Sequence, residues 1–303
     1  MSDERLLIVG TGAMGCLFAG LLADVSEVVL LGTWKEGIEA VRSHGVRLLT
    51  AAGERRLPVG ATDDPQEVAG VGQALVLVKA WQTPRAGAQL VGCLAPDGVA
   101  LSLQNGLGNW EALQAALGEG RAAVGVTRTG ATMLAPGVVR VGGLGPTTLG
   151  ENPRLDLLRN RFKAAGLDVE QVDDPTGALW GKLAVNAGIN PVSALLRLCN
   201  GELTERPGAR EVMRQAATEV QGVAEALGIA LPFADAAAEA ESAARASGNN
   251  QSSMLQDVLR GARTEIDAIN GVVVRMAETV DAPTPINRML WRLVSALTEG
   301  SPG

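Results

Sequence analysis

Tyrosine is absent from this sequence and histidine occurs once, at position 44. A metal centre built on two histidines is therefore excluded, as is a Tyr general acid paired with Lys in a Tyr-x-x-x-Lys motif. Any histidine-dependent triad or acid–base pair would have to use His44. That residue stands in Arg42-Ser43-His44-Gly45, where Gly45 reads as a helix C-terminal stop, so His44 reads as an ordinary surface residue. Acid chemistry falls to Lys, Asp, Glu or Cys. Cysteines are few: Cys16, Cys93 and Cys199 are odd in number, far apart and without metal spacing, which points to a reducing compartment and no metal. No apolar window reaches the ~18 residues of a spanning helix. The amino terminus, Met1-Ser2-Asp3-Glu4-Arg5, runs straight into an apolar stretch, without the basic start and small-residue cleavage site of a signal peptide. A soluble, cytoplasmic protein is expected. A basic excess is also missing: 26 Lys and Arg stand against 33 Asp and Glu, for a net charge of −7. Nucleic acid and anionic membranes are poor partners for such a chain.

What is present is core-forming material. Of the 303 residues, 47% are hydrophobic and 19% charged, enough for two packed domains and too apolar for disorder. Residues 6–9, 28–31, 74–78, 99–103 and 122–126 are short apolar runs, separated by helical patterns at 13–23, 36–42, 84–91 and 109–117. Continuous apolar strands alternating with helices predict a parallel sheet covered on both faces. The runs 46–49 and 55–59 flank Ala51-Ala52-Gly53 and predict a hairpin. The Gly- and Thr-rich stretch 127–150 predicts antiparallel strands closing the domain. From residue 174 the period changes: 177–198, 205–227, 234–246, 264–280 and 285–297 are all helical, and strand signals nearly vanish. The expected fold is α/β, a doubly wound sheet over 1–173 followed by an all-α domain over 174–303.

The first chemical signal is Gly10-Thr11-Gly12-Ala13-Met14-Gly15, a GxGxxG motif directly after the apolar run 6–9 and opening a helix. In that context Gly10 serves a tight turn, Gly12 lets backbone approach a pyrophosphate, and Gly15 allows close helix–strand packing, with the helix N-terminus facing the phosphates. After the second strand stand Gly32-Thr33-Trp34-Lys35, with no carboxylate at the strand end to hold ribose hydroxyls. Thr33 could donate to a 2′-phosphate, Lys35 could neutralise it and Trp34 could stack on adenine; Lys35 is otherwise a solvated charge.

The second signal is a helix face. Lys182, Asn186 and Asn190 recur at spacings of four and spread over about 80° of the helix surface. Flanked by Leu183, Val185 and Ile189, they suit a polar site on an apolar surface, or alternatively a solvated stripe. Pro191 is expected to kink or end that helix. The third signal is Ser252-Ser253-Met254-Leu255-Gln256-Asp257, followed by Thr264-Glu265-Ile266-Asp267-Ala268-Ile269-Asn270-Gly271. Thr264 with Asp267 reads as a capping box, Ser253 as an N-cap candidate, and Glu265 as a first-turn carboxylate favoured by the helix dipole with or without a function.

These motifs, with Lys79-Ala80-Trp81-Gln82-Thr83 and Leu103-Gln104-Asn105-Gly106-Leu107-Gly108, resemble those of ketopantoate reductases (2-dehydropantoate 2-reductases) over nearly the whole chain. The resemblance implies a Rossmann-type domain and a helical domain like the C-terminal one of 6-phosphogluconate dehydrogenase. It implies reduction of ketopantoate to (R)-pantoate with NADPH in pantothenate and coenzyme A synthesis. Carried over by position, Lys182 matches the general acid and Glu265 the acid that orients substrate. Asn186 and Asn190 match amides near the substrate hydroxyl, Ser253 a carboxylate-binding serine, and Asn105 and Lys79 residues lining nicotinamide and substrate. Many relatives carry Arg where this chain has Thr33, Trp34 and Lys35, which implies a weak preference for NADPH, with NADH still usable. Two alternatives remain open: a related reductase of another branched 2-oxo acid, and a non-catalytic dinucleotide-binding sensor. A homodimer is the ordinary expectation for a soluble enzyme.

Overall fold

The computed structural model describes residues 5–300. In chain order its elements begin β1 Arg5–Val9, α1 Ala13–Leu22, β2 Glu27–Leu31, α2 Lys35–His44, β3 Val46–Thr50, β4 Gly53–Leu57, β5 Gly60–Thr62 and β6 Val71–Val76. They continue with α3 Thr83–Cys93, β7 Leu94–Ser102, α4 Asn109–Leu117, β8 Ala122–Thr127, β9 Gly130–Ala135, β10 Val138–Gly143, β11 Thr147–Gly150, α5 Asp156–Ala164 and β12 Val169–Val172. The remainder is helical: α6 Thr176–Leu196, α7 Asn200–Glu205, α8 Pro207–Ala226, α9 Ala236–Ala246, α10 Ser253–Leu259, a π-helix Asp267–Gly271, α11 Val272–Thr279 and α12 Pro285–Leu297. The chain divides into two compact units, one running to Gln104 and resuming at Gly108–Pro175, the other made of Asn105–Leu107 and the residues from Thr176 onward.

In the first unit, eight strands pair in the order β12-β11-β8-β7-β6-β1-β2-β5. All neighbours are parallel except β8 and β11. The apolar run of β1 explains its central place. Leu6 and Ile8 pack on one face with Phe18 and Phe162, while Leu7 and Val9 pack on the other with Val71 and Leu90. With side chains alternating every residue, a strand apolar at every position must be covered on both sides. Helices α1, α2 and α5 contribute to one of these clusters and α3 and α4 to the other.

The hairpin β3–β4 forms as expected, with Gly53 at φ +128°. It does not join the large sheet. It belongs to a second sheet, β4-β3-β10-β9, in which β3 and β10 are parallel. The stretch 127–150 is thus split: β9 and β10 go to this small sheet and β11 to the large one. The small sheet covers α1, and Gly20 of α1 allows the approach, since an added Cβ there would lie 2.7 Å from Leu48 Cδ1.

The second unit packs around α6, which touches α7, α8, α9, α10, α12 and the π-helix. Gly188 admits α8, where an added Cβ would meet the Met213 carbonyl oxygen at 2.7 Å. As the helical pattern over 177–198 predicts, α6 runs through Pro191 to Leu196, so of the two effects expected of that proline, ending the helix does not occur. The helix expected over 264–280 also differs: it opens with the π-helix, whose Gly271 N–H donates to the Ile266 carbonyl, and is α-helical only from Val272. Among the described residues no helix is long and apolar enough to cross a membrane.

Candidate active site

Strands β1, β2 and β6 end side by side, and the turns after them carry the glycine motif, residues 32–35 and Lys79. The chain turns back across β1 to reach β6, and the carboxyl ends at such a reversal are where open α/β sheets bind ligands. Gly10 has φ +129°, and an added Cβ would lie 2.9 Å from the Leu77 carbonyl carbon. Only glycine is at ease there. At Gly15 an added Cβ would come within 1.8 Å of the Gly10 carbonyl oxygen, so its absence is what seats α1 against the turn. Gly12 is the opposite case. It is exposed, no atom lies within 4 Å of an added Cβ, and as N-cap it makes no side-chain cap bond. The turn at the N-terminus of α1 is thus open at Gly12 and flanked by the half-buried Ala13 and Met14, and the first N–H groups of a helix have no partner within it.

Thr11 is buried, and its methyl group packs where a Gly32 Cβ would be, 2.6 Å away, so what Thr11 offers a ligand is backbone. Thr33, Trp34 and Lys35 are exposed. The Trp34 ring rests on Gly37 in the first turn of α2, where an added Cβ would lie 2.3 Å from Cε3. Glu36, also in that turn, adds a carboxylate beside Lys35. Lys79 precedes a short 3₁₀ turn, and its N–H donates to Gln82 Oε1 at 3.3 Å. That turn is braced by Gln104, whose Nε2 donates to the Val78 carbonyl at 3.0 Å and to Thr83 Oγ1 at 2.8 Å. Gln104 lies in a motif quoted above, but no local pattern marked it as a brace, because the two groups to which its Nε2 donates are over twenty residues away.

His44 is the exposed last residue of α2, beside Gly45 with φ +69°. Burial pushes the Cys16 thiol up to about 12 and the Cys93 thiol to about 11. Cys199 is raised by burial and then by the Glu202 carboxylate. None of the three is an activated thiol. Among the described residues no group of three or more His, Cys, Asp or Glu is placed to hold a metal ion.

In the second unit, α6 carries Lys182 and Asn186 half-buried and Asn190 buried, a gradient along one face. Glu265 is only 5% exposed, yet its Oε2 accepts from Asn105 Nδ2 at 3.3 Å. The Asn105–Leu107 segment is seated there by Gly106, φ +80°, where a Cβ would be 2.3 Å from the Ala268 carbonyl oxygen, and by the Leu107 N–H bond to that same oxygen. The Glu265 carbonyl accepts from the N–H groups of Ala268 and Ile269, so its side chain lies at the N-terminal end of a helical segment, where negative charge is favoured.

Two expected caps are corrected. Ser252, not Ser253, caps α10: its Oγ accepts from the Leu255 N–H at 3.1 Å and lies 2.5 Å from Ser193 Oγ on α6. Ser253 is left partly exposed at the first helical position, next to a residue pinned to α6. Thr264 and Asp267 form no capping box. Thr264 Oγ1 is buried without a hydrogen-bond partner, and Asp267 accepts from Trp291 Nε1 at 2.8 Å.

A doubly wound unit with a glycine-rich phosphate-type turn, and a helical unit with lysine, amides and a buried carboxylate, define a Rossmann-type dehydrogenase. The comparisons narrow this. Residues 6–154 match the profile described as "Ketopantoate reductase PanE/ApbA", and residues 174–298 match "Ketopantoate reductase PanE/ApbA C terminal". The chain is 37% identical to a 2-dehydropantoate 2-reductase of Halobacterium salinarum over 96% of this chain and 97% of that one. It is 34% identical to one of Archaeoglobus fulgidus, covering 99% and 100%. The crystal structure of a PanE/ApbA family ketopantoate reductase from Ralstonia eutropha superposes with a TM-score of 0.90 at 35% identity, covering 98% of this chain and 99% of that one. The chain belongs to the ketopantoate reductase family.

Proposed function

We propose that the protein reduces 2-dehydropantoate to (R)-pantoate with a reduced nicotinamide dinucleotide, preferring NADPH weakly over NADH, as a step of pantothenate synthesis. The residues present fit that cofactor: Gly12 and the open N-terminus of α1 suit its pyrophosphate, and Lys35 suits a 2′-phosphate. When bound, the dinucleotide supplies the hydride.

The chain's own residues supply the rest. As the carbonyl bond at C2 is reduced, negative charge grows on its oxygen. The Lys182 ammonium stabilises that charge and passes a proton from Nζ to the oxygen. Asn105 and Ser253 hold the substrate carboxylate by hydrogen bonds. Glu265, Asn186 and Asn190 hold the terminal hydroxyl, the group that separates ketopantoate from plain 2-oxo acids. Lys79 lines the nicotinamide end.

The observation that carries this reading is the buried Glu265 carboxylate hydrogen-bonded to Asn105 in the same unit as the Lys182 face. A buried carboxylate needs polar partners, and a substrate hydroxyl would be one. The test is steady-state turnover of ketopantoate and 2-oxoisovalerate with each cofactor, on wild type and Lys182→Ala. Ketopantoate should be preferred, and Lys182→Ala should lower kcat by ~10²–10⁴-fold, the range for loss of an acid catalyst. Near-normal turnover by folded Lys182→Ala would place the acid elsewhere.

A further inference from the structure

We infer that Asn270 is a positioning residue for the substrate-binding face of α6, acting through the backbone carbonyl of Ala187. The inference rests on the proposed roles of Lys182, Asn186 and Asn190. Pro191 has no N–H to return to the carbonyl four residues back, which is that of Ala187. This carbonyl lies in the turn between Asn186 and Asn190. Asn270 Nδ2 donates to it at 3.0 Å and also to Asn287 Oδ1 at 2.9 Å. Asn287 is held in turn. Its Nδ2 donates to the Ala216 carbonyl at 3.0 Å and to Glu219 Oε2 at 2.7 Å, and its N–H donates to that oxygen at 2.8 Å.

Asn270 and Asn287 are fully buried, at 0% exposure. Two donor bonds to two acceptors leave the Asn270 amide only one orientation. That orientation has a cost: Asn270 Oδ1 is buried with no hydrogen-bond partner. A buried acceptor is rarely left so, and here it is tolerated where both donors must be aimed. Asn270 also stands in the π-helix, five residues after Glu265. A π turn adds a residue to the helical ring and so shifts the facing of side chains around it. One amide thereby ties the segment bearing Glu265 to the turn of α6 that bears both asparagines. Asn270 itself has no direct part in the chemistry.

A double-mutant cycle tests this, because Pro191→Ala restores a backbone N–H four residues after Ala187. Wild type, Asn270→Ala, Pro191→Ala and the double variant would be compared by ketopantoate kinetics, cofactor dissociation constant and Tm. Asn270→Ala should raise KM for ketopantoate about tenfold, the order expected when a buried acceptor loses its donor. Its kcat should stay within about threefold and its cofactor affinity should hold, since substrate binding rather than proton transfer is disturbed. In the Pro191→Ala background the same substitution should change KM by about twofold or less, because a helical N–H then serves the carbonyl. Equal KM changes in both backgrounds would overturn the inference, as would a loss confined to Tm. Should Asn270→Ala not fold, the double variant decides by its kinetics: a KM for ketopantoate within about twofold of Pro191→Ala supports the inference, and a larger rise or no recovery of folding overturns it. Lys182→Ala and Asn186→Ala separate the two readings. If both leave ketopantoate kinetics intact, the site assignment itself fails. If both impair them while the cycle is additive, only the role of Asn270 fails.

Discussion

Replacing Glu265 by glutamine removes a charge and leaves the volume unchanged. At 5% exposure there is little room for water to take the place of a lost interaction. The Asn105 Nδ2 bond at 3.3 Å is long for an N–H···O contact, so losing its charge assistance matters little. Partners of Glu265 within the protein are common to both substrates, so the difference between the substrates reads the bond to the hydroxyl. A hydrogen bond to a charged group contributes roughly 1.5–3 kcal/mol and a neutral one roughly 0.5–1.5. The difference is about 1–1.5 kcal/mol, or about five- to twelvefold in kcat/KM at about 1.4 kcal/mol per tenfold. Glu265→Gln should therefore cut kcat/KM for ketopantoate by that factor and leave 2-oxoisovalerate, which lacks the hydroxyl, nearly unchanged. The assay is cofactor oxidation followed at 340 nm with both substrates, on protein whose Tm matches wild type. Equal losses on the two substrates would show that Glu265 acts by general electrostatics, and the specificity argument would fall.

The glycine turn gives a contrast between two substitutions. Gly12→Ala should leave the Tm of the ligand-free protein unchanged, because an added Cβ meets nothing within 4 Å, yet weaken dinucleotide binding; Gly15→Ala should lower the Tm itself, its Cβ falling 1.8 Å from the Gly10 oxygen. Calorimetry and cofactor titration of both variants check this. Lys35→Ala should weaken NADPH by about fivefold, roughly the ~1 kcal/mol of one exposed charge contact, and leave NADH unchanged; tighter binding of NADH by wild type would refute the reading of that loop. Glu241 supplies a pH dependence. Burial raises its pKa, but hydrogen bonds from Arg210 and Arg214 and the charges of Arg210 and Arg245 overcome that and hold it below the usual 4.5. A carboxyl group lowered in the folded state stabilises it fully above pH 4.5 and loses that contribution as acid protonates it. The Tm difference between wild type and Glu241→Gln should be constant at neutral pH and shrink below pH 4.5; a difference that grows in acid would refute it.

The features that sequence determined by itself are those whose cause is local. The turn at residues 10–15 needs glycine because of φ at Gly10 and backbone contact at Gly15, both set within six residues. Strand β1 is apolar at every position after Arg5, which already demands cover on both faces. Lys182, Asn186 and Asn190 share a helix face by period alone. What only the tertiary structure decided depends on distant partners. The hairpin β3–β4 was legible, but not that β10 would pair with it, some ninety residues on. Short, mixed segments such as β12, β5 and α7 carried too little period to be read. Ser252 outranks Ser253 as a cap because Ser193, fifty-nine residues away, receives it. Pro191 could have ended its helix, and does not: the residues around it are buried, and Asn270 donates to the carbonyl that the proline cannot reach. Sequence period encodes which face of an element is buried, whereas the atom that meets that face is chosen by the fold as a whole.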